Sequence, residues 1–256
     1  MEIGAITQYI DVAQVALYAF WVFFAGLLFY IRQEDRREGY PLESDQTGHF
    51  DKNQWVFMPT PKTFKLPHGH GEVSVPNDIR DTRAIKAERL SVASGSPLEP
   101  IGDPMLANVG PGSFAERADT PDLTMQGHPK IVPLRSAPDF SLASEDPDPR
   151  GMNVVYADKV KGGTVKDVWI DQSEYLIRYL EVEADGQTVL LPMTFALIKN
   201  RRDPYVYVHA ILSGQAANVP KLANPEQVTL LEEDKICAYY GAGQLYATPQ
   251  RAEPLI

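Results

Sequence analysis

The chain has 256 residues, 44% of them apolar and 23% charged, the averages of a folded protein with room for one large domain or two small ones. That balance excludes a collagen, a polytopic membrane protein and a wholly disordered chain. The 24 basic and 34 acidic side chains leave a net charge of −10, which repels phosphate backbones and argues against nucleic-acid binding. One cysteine, Cys237, excludes an internal disulfide and a cysteine-rich zinc site.

Residues 1–11 form a short tail. From Val12 to Ile31 there are 20 residues without a charge, and Gln14 is the one strongly polar side chain among them. A helix of that length matches the roughly 30 Å hydrocarbon core of a bilayer and predicts a transmembrane span. A cleaved signal peptide needs a basic leader, whereas Glu2 and Asp11 are acidic. Arg32, Arg36 and Arg37 follow the span and no Lys or Arg precedes it, so the N-terminus is expected outside and the bulk in the cytoplasm. Tyr9 and Tyr30 sit at the two interfaces, and Arg32, Arg36 and Tyr40 are expected near lipid headgroups.

Residues 32–60 read as a membrane-proximal linker. Residues 61–150 read as a β hairpin followed by an extended covering segment. In the hairpin, Lys62–Leu66 and Glu72–Val75 flank Pro67-His68-Gly69-His70-Gly71, and Ala84–Leu90 reads as a further strand. Residues 92–150 hold ten of the 21 prolines, yet Leu98, Ile101, Met105, Leu106, Val109, Phe114, Leu123, Ile131, Val132, Leu134 and Phe140 recur through them. A solvated linker has no use for such residues, so an ordered segment laid over a partner surface is expected.

Residues 151–215 are strongly β in character. Thr164–Asp171, Tyr175–Ala184, Thr188–Leu191 and Tyr205–Leu212 read as strands, and Asp185-Gly186 as a hairpin turn, giving a small, bent sheet or barrel. In residues 216–256, Asn224 reads as a helix cap with Pro225 at the first position, the helix running to about Tyr240 and stopped by Gly241 and Gly243. The expected architecture is one N-terminal transmembrane helix plus a mainly-β cytoplasmic domain, built from a small barrel, an extended proline-rich segment and a C-terminal helix.

No phosphate-binding loop, dinucleotide fingerprint, nucleophile elbow or His-Glu-x-x-His motif is present, so no enzyme is expected. Cys237 reads as a packed small hydrophobe, and His68 with His70 is a poor two-ligand metal site. Asp167, Asp171, Glu174, Glu181, Glu183 and Asp185 fall within nineteen residues. Strand alternation puts Arg178 in one row with Leu176, Leu180 and Val182, and Glu174 extends that row. A charge on an apolar face must be paired, so Glu174, Asp171 and Arg178 are candidates for a semi-buried ionisable cluster. Glu181, Glu183 and Asp185 read as a solvated rim.

The span followed by Arg36-Arg37-Glu38-Gly39-Tyr40-Pro41-Leu42 resembles the H subunit of the purple-bacterial photosynthetic reaction centre. So do Lys62-Thr63-Phe64-Lys65-Leu66-Pro67-His68-Gly69, Gly102-Asp103-Pro104-Met105, Val109-Gly110-Pro111, Ile131-Val132-Pro133-Leu134 and Asp148-Pro149-Arg150-Gly151. The block from Gly163 through Asp171, with Arg178-Tyr179-Leu180-Glu181-Val182-Glu183 and Glu232-Glu233-Asp234-Lys235, is similar to the PRC-barrel domain of that family.

The resemblance implies a non-enzymatic subunit of the chromatophore membrane that caps and stabilises the L and M subunits. It binds no pigment itself, within a complex holding bacteriochlorophyll, bacteriopheophytin, quinones and non-haem iron. A light-harvesting antenna and a cytochrome subunit are further partners it suggests. The family also conducts protons to the secondary quinone through an acid cluster: Glu174 matches its glutamate nearest the quinone pocket, Asp171 and Arg178 match that residue's neighbours, Glu233 matches another acid, and Asp122 stands where relatives often have glutamate. Some relatives take up protons, and bind an inhibitory divalent metal, at a surface Asp-Gly-His-Gly-His. Here the sequence is Thr124-Met125-Gln126-Gly127-His128, so only His128 is left for either role. The alternative is a stand-alone membrane-tethered PRC-barrel adaptor for a cytoplasmic protein or RNA.

Overall fold

The computed structural model describes residues 4, 6–7, 9–44, 47–50, 57–77, 79, 81–184, 186–200 and 202–252. The chain divides into two compact units, residues 1–80 with 92–95, and residues 81–91 with 96–256.

In the first unit, α1 (Val12–Glu34) begins where the Asp11 carboxylate accepts the Gln14 N–H at 2.7 Å. That side chain satisfies one of the donors the first turn leaves free. The helix exposes apolar side chains all round, and none of its residues is buried. Val12–Arg37 is long and apolar enough to cross a membrane. The helix runs three residues past the predicted Ile31 and ends in a short turn at Asp35–Arg37. There Arg37 pairs with Glu34 at 2.7 Å and donates to the Thr60 and Val75 carbonyls. β1 (Lys62–Lys65) and β2 (Glu72–Val75) form the expected antiparallel hairpin, closed by the Leu66 N–H on the Gly71 carbonyl at 2.8 Å.

The second unit opens with β3 (Ala87–Arg89), shorter than the predicted Ala84–Leu90, paired with β4 (Leu98–Pro100). Its centre is a seven-stranded sheet. The strands are β5 (Ile131–Pro133), β6 (Asn153–Val155), β7 (Lys161–Asp171), β8 (Leu176–Ala184), β9 (Gln187–Pro192), β10 (Ala196–Lys199) and β11 (Tyr205–Val208). They lie in the order β10-β11-β6-β7-β8-β9, with β5 added on β7. Among the described residues, only the β11–β6 pair is parallel. β8 pairs with residues 164–171 of β7, while on its other edge β6 pairs with the start of β7, from Lys161 to Thr164, and β5 with its last three residues, Trp169 to Asp171. Register shifts in β7 at Val165/Asp167 and Trp169/Ile170 bend that strand. Such bends let a short sheet curl into a half-barrel.

The core of this unit holds Val154, Val168, Trp169, Leu180, Val206, Val208, Ile211, Ile236 and Tyr240, all essentially inaccessible to water. Met105, Ile131, Val132, Leu134 and Ala137 join the same core. These residues of the proline-rich segment are therefore buried in the chain's own core, which corrects the expectation of a partner surface for them. Leu98, Ile101 and Leu106 stay exposed.

The C-terminal helix α2 (Leu230–Tyr246) differs from expectation at both ends. Asn224 caps a turn, accepting from the Glu226 N–H at 2.9 Å, and no helix starts at Pro225. The cap is Thr229, which exchanges hydrogen bonds with Glu232 in a capping box. Gly241 and Gly243 lie inside the helix. A Cβ on Gly243 would sit 2.6 Å from the Ala210 carbonyl, and one on Gly241 2.7 Å from that of Pro111. These glycines admit neighbouring backbone to the helix surface, and the helix continues through them.

Further strand readings change. Tyr175 belongs to the turn before β8, with φ of 57°. β11 ends at Val208, four residues before the predicted Leu212, and β4, β5, β6 and β10 were not anticipated. Of the predicted Asp185-Gly186 turn, Asp185 lies outside the described residues, and Gly186 takes a φ of 73°.

Candidate functional site

The site is built at the end of β7. The Asp171 side chain is 0% exposed, and its Oδ1 accepts the N–H groups of Ser173 and Glu174, both at 2.9 Å. Those two bonds shape the four-residue turn into β8 and present Glu174 beside Asp171. Across β8, Arg178 brings Nε to 3.5 Å from Asp171 Oδ2 and Nη2 to 3.8 Å from Glu174 Oε2.

β5 delivers a second cation. Ile131 stands opposite Asp171, and the Gln172 N–H donates to the Lys130 carbonyl at 2.9 Å, extending the ladder by one residue. Lys130 Nζ then lies 3.2 Å from Glu174 Oε1, 3.5 Å from Asp171 Oδ2 and 3.7 Å from Asp122 Oδ2. Asp122 starts a loop that returns to Lys130, whose N–H donates to the Asp122 carbonyl at 2.8 Å. At its tip the Thr124 N–H bonds the His128 carbonyl, and His128 is exposed.

Four predicted residues, Asp122, Asp171, Glu174 and Arg178, are thus brought together. Lys130, which the sequence reading did not single out, stands between them. Burial alone pulls the Lys130 ammonium down, but the Glu174 hydrogen bond and the Asp171, Glu174 and Asp122 charges outweigh it and hold it above the usual lysine range.

Glu233, the fifth predicted acid, lies in the first turn of α2 and accepts the Tyr179 hydroxyl at 2.6 Å. Burial pushes its carboxyl above the usual glutamate range, against the lowering effects of the Tyr179 bond, Arg178 and Arg117. Asp122 acts on it in the raising direction, which links it to the cluster. Tyr179 is driven well up by burial, and burial likewise raises the adjoining Cys237 thiol.

A second ionic group corrects the reading of Glu181 as solvated rim. Arg135 Nη1 bonds Glu181 at 2.7 Å and Asp167 at 3.1 Å, while its Nη2 bonds Glu226 at 3.0 Å. Trp169 Nε1 donates to the same Glu181 oxygen at 2.8 Å. Glu183 does sit at the surface, paired with Lys166.

At the end of α1, Arg32 pairs with Asp35 at 3.3 Å, and the Arg36 guanidinium lies 5.2 Å from the Tyr40 ring centre and 4.9 Å from that of Phe57. His68 and His70 sit exposed on the β1–β2 turn. Among the described residues, no group of three or more His, Cys, Asp or Glu is arranged to hold a metal ion.

The chain thus has one N-terminal apolar helix that could span a membrane, followed by a mainly-β domain with a curled half-barrel sheet and a C-terminal helix. A family model for the photosynthetic reaction centre H-chain N-terminal region matches residues 4–136, and one for the PRC-barrel domain matches residues 143–213. The chain belongs to the photosynthetic reaction centre H-chain family. That family is a structural subunit, associated with the core subunits of a complex that carries pigments and quinones.

Proposed function

We propose that this chain is a non-enzymatic accessory subunit that caps the L and M subunits on the cytoplasmic side and conducts protons to the secondary quinone. It is anchored N-terminus out in the chromatophore membrane, with Arg32, Arg36 and Tyr40 at the headgroups. It holds none of the pigments, quinones or iron itself. Antenna and cytochrome subunits are its further neighbours in the membrane.

The observation that carries the conducting role is the gradient of exposure through the cluster. The Asp122 and Glu174 carboxylates are 47% and 48% exposed, while Asp171 is wholly buried, and all three meet at Lys130. Acids in that arrangement can receive a proton at the surface and pass it inward directly or through one water. Glu233, with its raised proton affinity, is a store beside them, and the exposed His128 at the loop tip is a collector.

The capping role is supported by what flanks Glu174. A cavity of about 590 Å³ begins at the next residue and is lined by Phe140, Leu142, Tyr175, Leu176, Met193 and Ile198. Tyr175 is 80% exposed there. An apolar face of this kind is suited to burial against a partner.

In the assembled complex, Glu174→Gln is expected to slow flash-induced proton uptake and the second electron transfer by about tenfold or more. Unchanged rates would remove the conducting role and leave the cap. Purification from native membranes in mild detergent tests the cap, since bacteriochlorophyll absorption must accompany the chain; a colourless chain would refute it.

A further inference from the structure

The two-stranded hairpin of the first unit has one apolar face and one polar face. Its register sets Lys62 opposite Val75, Phe64 opposite Val73, Thr63 opposite Ser74 and Lys65 opposite Glu72. Cross-strand partners share a face, so Lys62, Phe64, Val73 and Val75 lie on one side, and alternation adds Leu66 to them. Thr63, Lys65, Glu72 and Ser74 lie on the other, where the Thr63 hydroxyl donates to that of Ser74 at 3.3 Å. Phe64 and Leu66 are still 38% and 37% exposed, and among the described residues no third strand joins the sheet. A lone hairpin is at best marginally stable in water, so its apolar face calls for a surface to rest on.

That surface follows from where the hairpin is tied. Arg37, just past the end of α1, is only 14% exposed. Its Nη1 donates to the carbonyls of Thr60 at 3.0 Å and Val75 at 3.3 Å, at the entry and exit of the hairpin. The Phe57 ring, on the approach to β1, meets the Phe29 ring of the apolar helix with centres 5.5 Å apart. Phe29 lies about 7.5 Å along the axis from the helix end at Glu34. All these residues belong to one compact unit. The base of the hairpin is therefore held at the level where the apolar span ends. Lys62 Nζ lies 5.1 Å from the Phe64 ring centre, its stem along the apolar face and its ammonium free to reach a phosphate, as lysines do where lipid meets water. The open edges of a two-stranded sheet find no hydrogen-bond partners in hydrocarbon, so such a hairpin stops at the headgroups.

We propose that the β1–β2 hairpin is an interfacial membrane element: Phe64, Leu66, Val73 and Val75 rest on the boundary between headgroups and acyl chains beside the end of α1, with Lys62 among the lipid phosphates. The proposal rests on the membrane-anchored reading and adds to it a second contact with the bilayer.

The test places a nitroxide on single introduced cysteines in a Cys237→Ala background, in the assembled complex reconstituted into lipid vesicles. The same complex without an introduced cysteine supplies the background signal. Collisions with oxygen, which concentrates in lipid, and with a water-soluble nickel chelate give the depth of each label. Labels at Phe64→Cys and Val73→Cys are expected about 5–10 Å below the phosphates and out of reach of nickel. A label at Ser74→Cys, on the other face, is expected to meet nickel freely. Nickel reaching Phe64→Cys and Val73→Cys as readily as Ser74→Cys overturns the proposal. So does a Phe64→Cys label shielded from oxygen and nickel alike, because a protein subunit then covers the face. If Phe64→Cys does not assemble, Val73→Cys carries both outcomes. A label at Val22→Cys, in the middle of α1, checks the anchored reading separately. Nickel reaching Val22→Cys overturns the anchor, whereas nickel excluded there but present at Phe64→Cys and Val73→Cys overturns the hairpin alone.

Discussion

The Tyr179 hydroxyl donates to Oε2 of Glu233 across 2.6 Å, tying the middle of β8 to the first turn of α2. Glu233 holds its proton more tightly than an unfolded glutamate, chiefly because it is buried. The folded chain therefore binds one proton more than the unfolded chain in the window above the ordinary value of 4.5. The stability this contributes is full below that value and is lost as pH rises through the folded one. Thermal midpoints of the full chain in detergent, measured against pH, are expected to fall through this window less steeply in Glu233→Gln than in the native chain. Equal slopes would show that Glu233 does not titrate as its burial requires.

Tyr179→Phe removes the Tyr179 hydrogen bond, which favours the ionised form of Glu233. The carboxyl is then expected to titrate at still higher pH, visible as a shifted protonated-carboxyl infrared band. A shift to lower pH would contradict the assignment of donor and acceptor.

Arg135 compensates the Asp167 and Glu181 carboxylates, whose side chains are only 8% and 12% exposed. Removing one partner of a buried pair costs about 3–5 kcal/mol, less where solvent reaches the site. Arg135 is 39% exposed, so Arg135→Met is expected to cost about 2 kcal/mol in denaturant unfolding. Lys at this position keeps the charge but not the fork that reaches Glu181 and Glu226 together, and is expected to recover only part of the loss.

Gly243→Ala sets helix propensity against packing. Alanine gains about 1 kcal/mol in a helix interior. Its Cβ, however, would lie 2.5 Å from Ile211 Cγ2 and 2.6 Å from the Ala210 carbonyl. Overpacking against backbone costs about 1–3 kcal/mol, so a net loss in unfolding free energy is expected. A stabilised variant would show that α2 and the Ala210 backbone can part at little cost.

Cys237 sits half-buried in α2, its thiol held up by burial. Alkylation by iodoacetamide at neutral pH is expected to be at least tenfold slower than in denaturant, since the thiolate is the reactive form. Equal rates would place the sulfur in water.

How much was legible in the sequence follows from which interactions are local. The unbroken apolar run of α1 and the Val-Ile-Tyr pattern of β7 and β8 repeat over neighbouring residues, and both elements were found. Asp171, Glu174 and Arg178 fall within eight residues, so the single short turn between β7 and β8 brings them close. Lys130 and Arg135 reach their partners through a three-residue strand that pairs with residues about forty positions on, and no local period announces it. The helix cap was readable as Thr229-Leu230-Leu231-Glu232, but Asn224-Pro225 offered an earlier start that the chain spends on a turn. Gly241 and Gly243 misled because a helix stop and a close contact use the same residue type for different reasons.

The two family matches stop at residue 136 and resume at residue 143, as if a cut could be made between them. β5, which belongs to the first match, is paired with the last three residues of β7, which belongs to the second. A barrel expressed from residue 143 onward would bare that edge of β7 from Trp169 to Asp171, together with the apolar patch Ile131, Val132 and Leu134 now conceal. Bare edges recruit other chains. The boundary that marks two evolutionary modules therefore runs through a single folding unit, and the shorter piece is expected to aggregate.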